Sequence, residues 1–317
     1  MLAFGPVPSR RLGRSLGVNN IPPKACTYSC IYCQVGRTRR TQAARREFHA
    51  PEAILAAVQE KVMHAERCGE PIDYLTFVAD GEPTLDSCLG REIALLKPLG
   101  IRIAVITNAS LVWREEVQAA LMNADWVSLK VDAVRERAWR RINRPHGNLS
   151  LPRMLEGMLR FGKRFRGRLV TETMLVEDVN DSSGEIGAVA DFLSRLAPDV
   201  SYLAIPTRPP AEKWVRPPGE AAINRAFQRM DASLDRVEYL IGYEGNAFAC
   251  TGNVEDDLLS ITAVHPMRKD ALADFLKKAG ADWEVVRRLI ARSRIVETEF
   301  EGRKYYLRKL DPGAGAP

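Results

Sequence analysis

The chain has 317 residues, 46% of them hydrophobic, so it can bury a large core; this excludes a wholly disordered chain and suits one large α/β domain with a small appendage. A formal net charge of +6 is a mild basic bias that permits an anionic substrate or nucleic acid without requiring either. No run approaches the roughly 18 apolar residues of a membrane span and the first residues lack the apolar core of a secretory signal, so a cytoplasmic protein without a membrane partner is expected.

The first fifty residues carry nine basic side chains (Arg10, Arg11, Arg14, Lys24, Arg37, Arg39, Arg40, Arg45 and Arg46) against the single acid Glu47, which reads as a solvated face or an anion-binding one. A first strand is expected at 16–19. Residues 51–67 read as a helix with proline in its first turn and Ile54, Leu55, Val58 and Val62 on one face. A strand at 72–79 follows, ending in Asp80-Gly81-Glu82-Pro83. Then come a helix at 91–97, a strand at 101–107, a helix at 111–122, a strand at 126–131, a helix at 151–165, a strand at 169–176, a helix at 183–196 and a strand at 200–205 that stops at Pro206. This alternation calls for right-handed crossovers and a parallel sheet, with ligands bound beyond the carboxyl ends of the strands. About six such units, fewer than the eight of a closed barrel, predict an α/β fold with an open, partial (β/α)6 barrel.

Pro209, Pro210, Pro217 and Pro218 then punctuate the chain before a helix at 220–230 and a strand at 237–241, a segment expected to wrap the barrel's end. From about 254 the rhythm changes to helices at 257–264, 269–279 and 283–292 and strands at 295–300 and 304–310, with Glu301-Gly302 as a hairpin turn. Three short helices and a hairpin describe a winged helix. The expected division is therefore a barrel domain at 1–250, a winged-helix-like domain at 251–310 and a disordered tail at 311–317. Arg287, Arg288, Arg292, Arg294, Arg303, Lys304 and Arg308 on the third helix and hairpin could meet phosphates, although Asp282, Glu284, Glu297, Glu299 and Glu301 oppose this.

Of six cysteines, three are crowded into Cys26-Thr27-Tyr28-Ser29-Cys30-Ile31-Tyr32-Cys33, which does not look like a disulfide framework. Thiolates at this spacing in a loop suit an iron–sulfur centre. With no fourth cysteine nearby, one iron of a 4Fe-4S cluster would keep an open position. The competing reading is a three-cysteine, one-histidine zinc site completed by His49 or His64. Cys68 and Cys88 are solitary thiols with packing roles.

The spacing, with Tyr32 just before the last cysteine, resembles the signature of the radical S-adenosylmethionine superfamily, and the resemblance covers about residues 1–250. It implies that Cys26, Cys30 and Cys33 hold a 4Fe-4S cluster whose open iron binds S-adenosylmethionine, with Tyr32 near the adenine. It also implies that reduction yields methionine and a 5′-deoxyadenosyl radical, which takes a hydrogen atom from the substrate. Gly81-Glu82-Pro83 resembles the superfamily's glycine-glutamate motif, with Asp80 in place of the commoner glycine, and implies that Glu82 grips the methionine amino group; alone, it would read as an acid at a helix start. Asn108 and Ser128 at strand ends are expected cofactor contacts, and Glu172 has similar standing. Lys130 shares a face with Ser128 and Asp132, either as a catalytic group or in an ordinary ion pair. Cys250, among glycines and polar residues, is a candidate hydrogen-atom donor.

Phe4-Gly5-Pro6-Val7-Pro8-Ser9-Arg10-Arg11-Leu12-Gly13, with Gly81 to Thr84 and the Cys250 region, is similar to the radical proteins related to wyosine-base synthase, which acts on transfer RNA. The chain lacks that enzyme's N-terminal set of three cysteines for a second cluster. The leading expectation is an enzyme that abstracts hydrogen from RNA, a peptide or a small anionic metabolite, reduced by a flavodoxin or ferredoxin. The rival is an iron–sulfur winged-helix regulator that senses redox state or S-adenosylmethionine without turnover.

Overall fold

The strands of the larger sheet lie side by side in the order in which the chain makes them, β1 to β8. The computed structural model describes residues 1–78, 80–241, 248, 253–264 and 266–309. In chain order the elements are β1 (Ala3–Ser9), β2 (Gly13–Val18), α1 (Pro51–Arg67), β3 (Tyr74–Phe77), α2 (Leu89–Leu96), β4 (Arg102–Thr107), α3 (Glu115–Leu121) and β5 (Trp126–Lys130). They continue as α4 (Glu136–Asn143), α5 (Leu151–Arg164), β6 (Arg168–Met174), α6 (Ser183–Leu196), β7 (Val200–Ala204), α7 (Glu220–Asp231) and β8 (Val237–Leu240). From β2 to β8 every neighbouring pair is parallel, and only β1 is antiparallel. Helices cover one face, so these strands read as apolar runs, as in the buried Ile103-Ala104-Val105 of β4. The helices are one-sided to match: α1 buries Ile54, Val58, Val62 and Ala65, three or four residues apart.

The expected partial barrel is present as β2–β7, with three additions. β8 does not wrap the barrel's end; it pairs in parallel with β7 and lengthens the sheet. α4 is not legible in the sequence because its arginines hide a short inward stripe of Ala138, Trp139 and Ile142. β1 was missed because Pro6 and Pro8 cannot donate to a ladder, an objection that fails at an edge strand. The β1–β2 turn carries Leu12 inside the barrel, where it packs with Ala104, Trp126, Val170, Val200 and Tyr202 at the amino ends of the strands.

The remaining elements are α8 (Val254–Val264), β9 (Met267–Arg268), α9 (Lys269–Lys278), α10 (Trp283–Ala291), β10 (Ile295–Phe300) and β11 (Arg303–Arg308). The three strands form an antiparallel sheet in the order β10-β11-β9. Glu301 and Gly302 take left-handed φ values of 49° and 68°, as the two-residue turn requires. A separate core of Phe248, Leu258, Ile261, Leu272, Phe275 and Leu289 holds this subdomain together. Val7 of β1 packs on that core, the Tyr305 hydroxyl donates to the Thr207 carbonyl at 2.9 Å, and Lys278 Nζ donates to Glu70 at 2.5 Å. The tail expected to be disordered, 311–317, lies outside the described residues.

Candidate active site

Beyond the end of β2 the loop bearing Cys26, Cys30 and Cys33 is clamped from two sides. On one side the Lys24 amide donates to the Asp80 carbonyl at 2.9 Å, and the Glu82 amide donates to the Ala25 carbonyl at 2.9 Å. Gly81 lies so close that a Cβ there would meet the Ala25 oxygen at 1.9 Å, so only glycine fits the turn. On the other side the Ser29 and Ile31 amides donate to the carbonyls of Asn143 and Ile142, at 3.0 Å each. The three thiols are free, and each sulfur accepts from nitrogen: Cys26 from the Tyr28 amide at 3.4 Å and Asn108 Nδ2 at 3.7 Å, Cys30 from Asn143 Nδ2 at 3.4 Å, Cys33 from Lys24 Nζ at 3.5 Å.

Glu82 ties this loop to the end of β4. Its Oε1 accepts from the Thr84 amide at 3.0 Å and from the hydroxyls of Thr84 and Thr107 at 2.5 and 2.6 Å; its Oε2 accepts from the Asn108 amide at 2.7 Å. Burial raises the Glu82 pKa, opposed by these hydrogen bonds. These four donors make the carboxylate a tie between turn and strand. Pro83 opens the single 3-10 turn that follows, and its carbonyl accepts from Asn20 Nδ2 at 3.3 Å.

Inside the barrel, Trp126 packs with the inner cluster, and alternation puts Ser128 and Lys130 on the same face. Lys130 Nζ donates to Glu172 Oε1 at 2.7 Å, and Arg11 Nη1 donates to Glu172 Oε2 at 2.6 Å from below. Burial pushes the Glu172 carboxyl up, but the Lys130 and Arg11 charges outweigh it and hold its pKa at about 2. Burial pulls Lys130 down, while Glu172 and Asp132 lift it above its ordinary value, so it is an ammonium donor. Lys130 Nζ also stands 4.9 Å from the Tyr32 ring centre. The Tyr32 hydroxyl donates to Asp132 Oδ2, which accepts from Asn143 Nδ2 at 2.7 Å as well. A polar chain thus runs from Arg11 at the barrel floor to Cys30. Ser128 Oγ is buried and makes no hydrogen bond among the described residues.

Tyr32, Gly81, Glu82, Pro83, Asn108, Ser128, Lys130 and Glu172 are thereby gathered between the cysteine loop and the strand ends, whereas Cys250 lies outside the described residues. Sequence reasoning missed three contributors. Asn143 sits on α4, which the sequence pattern conceals; Lys24 and Arg11 read in the sequence as part of a basic face, yet the Arg11 side chain is only 11% exposed. Among the described residues no three His, Cys, Asp or Glu side chains converge as ligands of one metal ion would. His64 instead lies 3.5 Å from Cys68. Burial, with Asp132 nearby, pushes the Cys30 thiol up to about 12, and burial with Cys30 and Glu82 nearby raises Cys26 too. Thiols so placed ionise only beside strong positive charge. A 4Fe-4S cluster supplies that charge and spreads its ligands over several irons, so the soft donors and their surrounding N–H groups fit such a cluster.

Comparison with known proteins decides the family: the sequence model of the Radical SAM superfamily, SAM being S-adenosylmethionine, matches residues 20–192. The chain belongs to the radical SAM superfamily. Its chemistry is accordingly that of radical SAM enzymes, the cleavage of S-adenosylmethionine to generate a radical. This radical SAM chain is 44% identical over 311 residues to the UPF0026 protein MJ1312 of Methanocaldococcus jannaschii, across 98% of this chain and 96% of the relative. A radical SAM methyltransferase from Sphaerobacter thermophilus shares the fold with a TM-score of 0.54 and 18% identity, covering 71% of this chain and 66% of that one. Streptococcus suis SuiB bound to its precursor peptide SuiA does so with a TM-score of 0.52 and 13% identity, over 72% of this chain and 49% of that one. No helix among the described residues is long and apolar enough to cross a membrane.

Proposed function

We propose that Cys26, Cys30 and Cys33 hold a 4Fe-4S cluster and that S-adenosylmethionine lies between it and the strand ends, contacted by Tyr32, Gly81, Glu82, Pro83, Asn108, Ser128 and Glu172. Bound together and reduced by a flavodoxin or ferredoxin, the two supply a 5′-deoxyadenosyl radical. The single observation that carries the assignment is that all three sulfurs sit on one clamped loop with an N–H donor aimed at each. Lys24, Asn108 and Asn143 offset the negative charge of thiolates. Glu82 holds Thr107, Asn108 and its own turn in place. Ser128 Oγ, which has no hydrogen-bond partner among the described residues, offers a donor and acceptor to a ligand in the barrel. Lys130 contributes a fixed positive charge beside Tyr32. The winged-helix-like subdomain and the likeness to the wyosine-related group, without its second cluster, favour a large substrate over a free metabolite.

The test uses protein reconstituted with iron and sulfide under strict exclusion of oxygen. Given dithionite and S-adenosylmethionine, it is expected to release methionine and 5′-deoxyadenosine in equal amounts, and Cys30→Ala to release neither. Wild-type protein that binds one zinc ion and never develops a cluster spectrum would remove the basis of the assignment.

A further inference from the structure

A cleft of about 1340 Å³ opens between the cysteine loop, the turn at Asp80, the loops after β4 and α4, and the C-terminal subdomain. Among the described residues that line it, ten side chains are lysine or arginine and one, Asp80, is acidic. The described residues leave most of this charge without a counter-charge. Among the described residues, Arg39, Arg40, Arg46, Arg294, Arg308 and Lys309 have no ion-pair partner; of the ten, only Arg37 and Arg114 pair with acids, Glu212 and Glu116. Such a concentration of cations repels itself and attracts a polyanion.

Two further observations narrow the ligand. The unpaired cations come from both the cysteine loop and the C-terminal subdomain, and their number exceeds what one phosphate would neutralise. Trp113 also lines the cleft, with the guanidinium groups of Arg114 and Arg153 at 5.0 and 4.1 Å from its ring. Arginine forks suit phosphate, and guanidinium planes lying over an aromatic ring can take bases on their outer faces; an acidic peptide would use the charge but leave this stack idle. The surface is not the one expected from the sequence. Arg287, Arg292 and Lys304 are paired with Glu284, Glu255 and Glu297, and of that set only Arg294 and Arg308 line the cleft.

We propose that this cleft binds a single-stranded stretch of nucleic acid and presents it to the radical site, which specifies the substrate class left open above and rests on that enzymatic reading. Cluster-loaded full-length protein is titrated against short labelled RNA and DNA strands of one sequence, with polyglutamate as the acidic competitor. Fluorescence anisotropy is expected to show binding that weakens with salt at a log–log slope of about −3.5, as roughly five phosphate contacts on a single strand imply. Arg39→Glu with Arg40→Glu, and separately Arg294→Glu with Arg308→Glu, are expected to weaken it at least about tenfold. Arg287→Glu with Arg288→Glu, outside the cleft, should leave it unchanged, and circular dichroism checks that each variant is folded. Binding of RNA alone or of both strands supports the proposal and names the source. Affinity untouched by the cleft variants, or polyglutamate displacing the strands at equal charge, overturns it. Release of 5′-deoxyadenosine is measured in the same samples: release without strand binding sinks the cleft alone, and strand binding by protein that never releases the nucleoside sinks the enzymatic reading alone.

Discussion

Glu172 is held between two cations that arrive from opposite ends of the barrel, Lys130 from the strand ends and Arg11 from the β1–β2 turn. Replacing it by glutamine leaves both cations buried without their counter-charge, a change that costs about 3–5 kcal/mol. Denaturant unfolding of Glu172→Gln at neutral pH is expected to show that loss. The pH dependence follows from the depressed pKa of about 2. A carboxylate lowered from its ordinary value of about 4.3 stabilises the fold fully above that value, and the contribution is lost as pH falls towards 2. The stability gap between wild type and variant should therefore close over that acid range; a gap that persists at its acid end would contradict the role given to Glu172. At this scale the sequence displayed like residues at short spacing and single strand-end positions such as Glu82, Asn108 and Lys130, but not the distant partners they meet. Cys26, Cys30, Cys33 and Tyr32 stand within eight positions. Arg11 and Glu172 are 161 residues apart, and Asn143 and Cys30 are 113 apart, so no local pattern announces either pair.

The cysteine loop keeps its shape because the turn after β3 presses against it, and this contact admits no side chain at Gly81. Gly81→Ala must displace either Ala25 or the turn, because its new methyl carbon would sit 1.9 Å from a backbone oxygen. Such a displacement is expected to reduce cluster iron per chain below about half of the wild-type content while the far-ultraviolet spectrum is kept. Full iron loading in the variant would show that the loop tolerates a looser fit. Periodicity made the long elements legible: α6 runs Ser183–Leu196 and β10 runs Ile295–Phe300, as the pattern predicts. It failed where tertiary context overrides local preference. The prolines of β1 are harmless only at an edge, α4 hides three inward residues among arginines, and β8 looks no different from a wrapping segment until β7 accepts it.

Among the described residues the barrel and the C-terminal subdomain have separate apolar cores, and contacts of several kinds join the two units. Val7 packs from β1 onto the C-terminal core, Tyr305 bonds the loop after β7, and Glu70 bridges Arg14 and Lys278. Calorimetry is therefore expected to show a single unfolding transition, with the subdomain and the barrel melting together; two resolved transitions would show that the joints are too weak to couple them. The barrel's other end has its own consequence. Leu12, Trp126 and Tyr202 seal the floor beneath Glu172, with the Arg11 guanidinium 5.9 and 5.8 Å from the two aromatic rings. With this end of the barrel plugged, whatever reacts above Glu172 has to come and go by way of the strand ends or the unclosed side of the sheet.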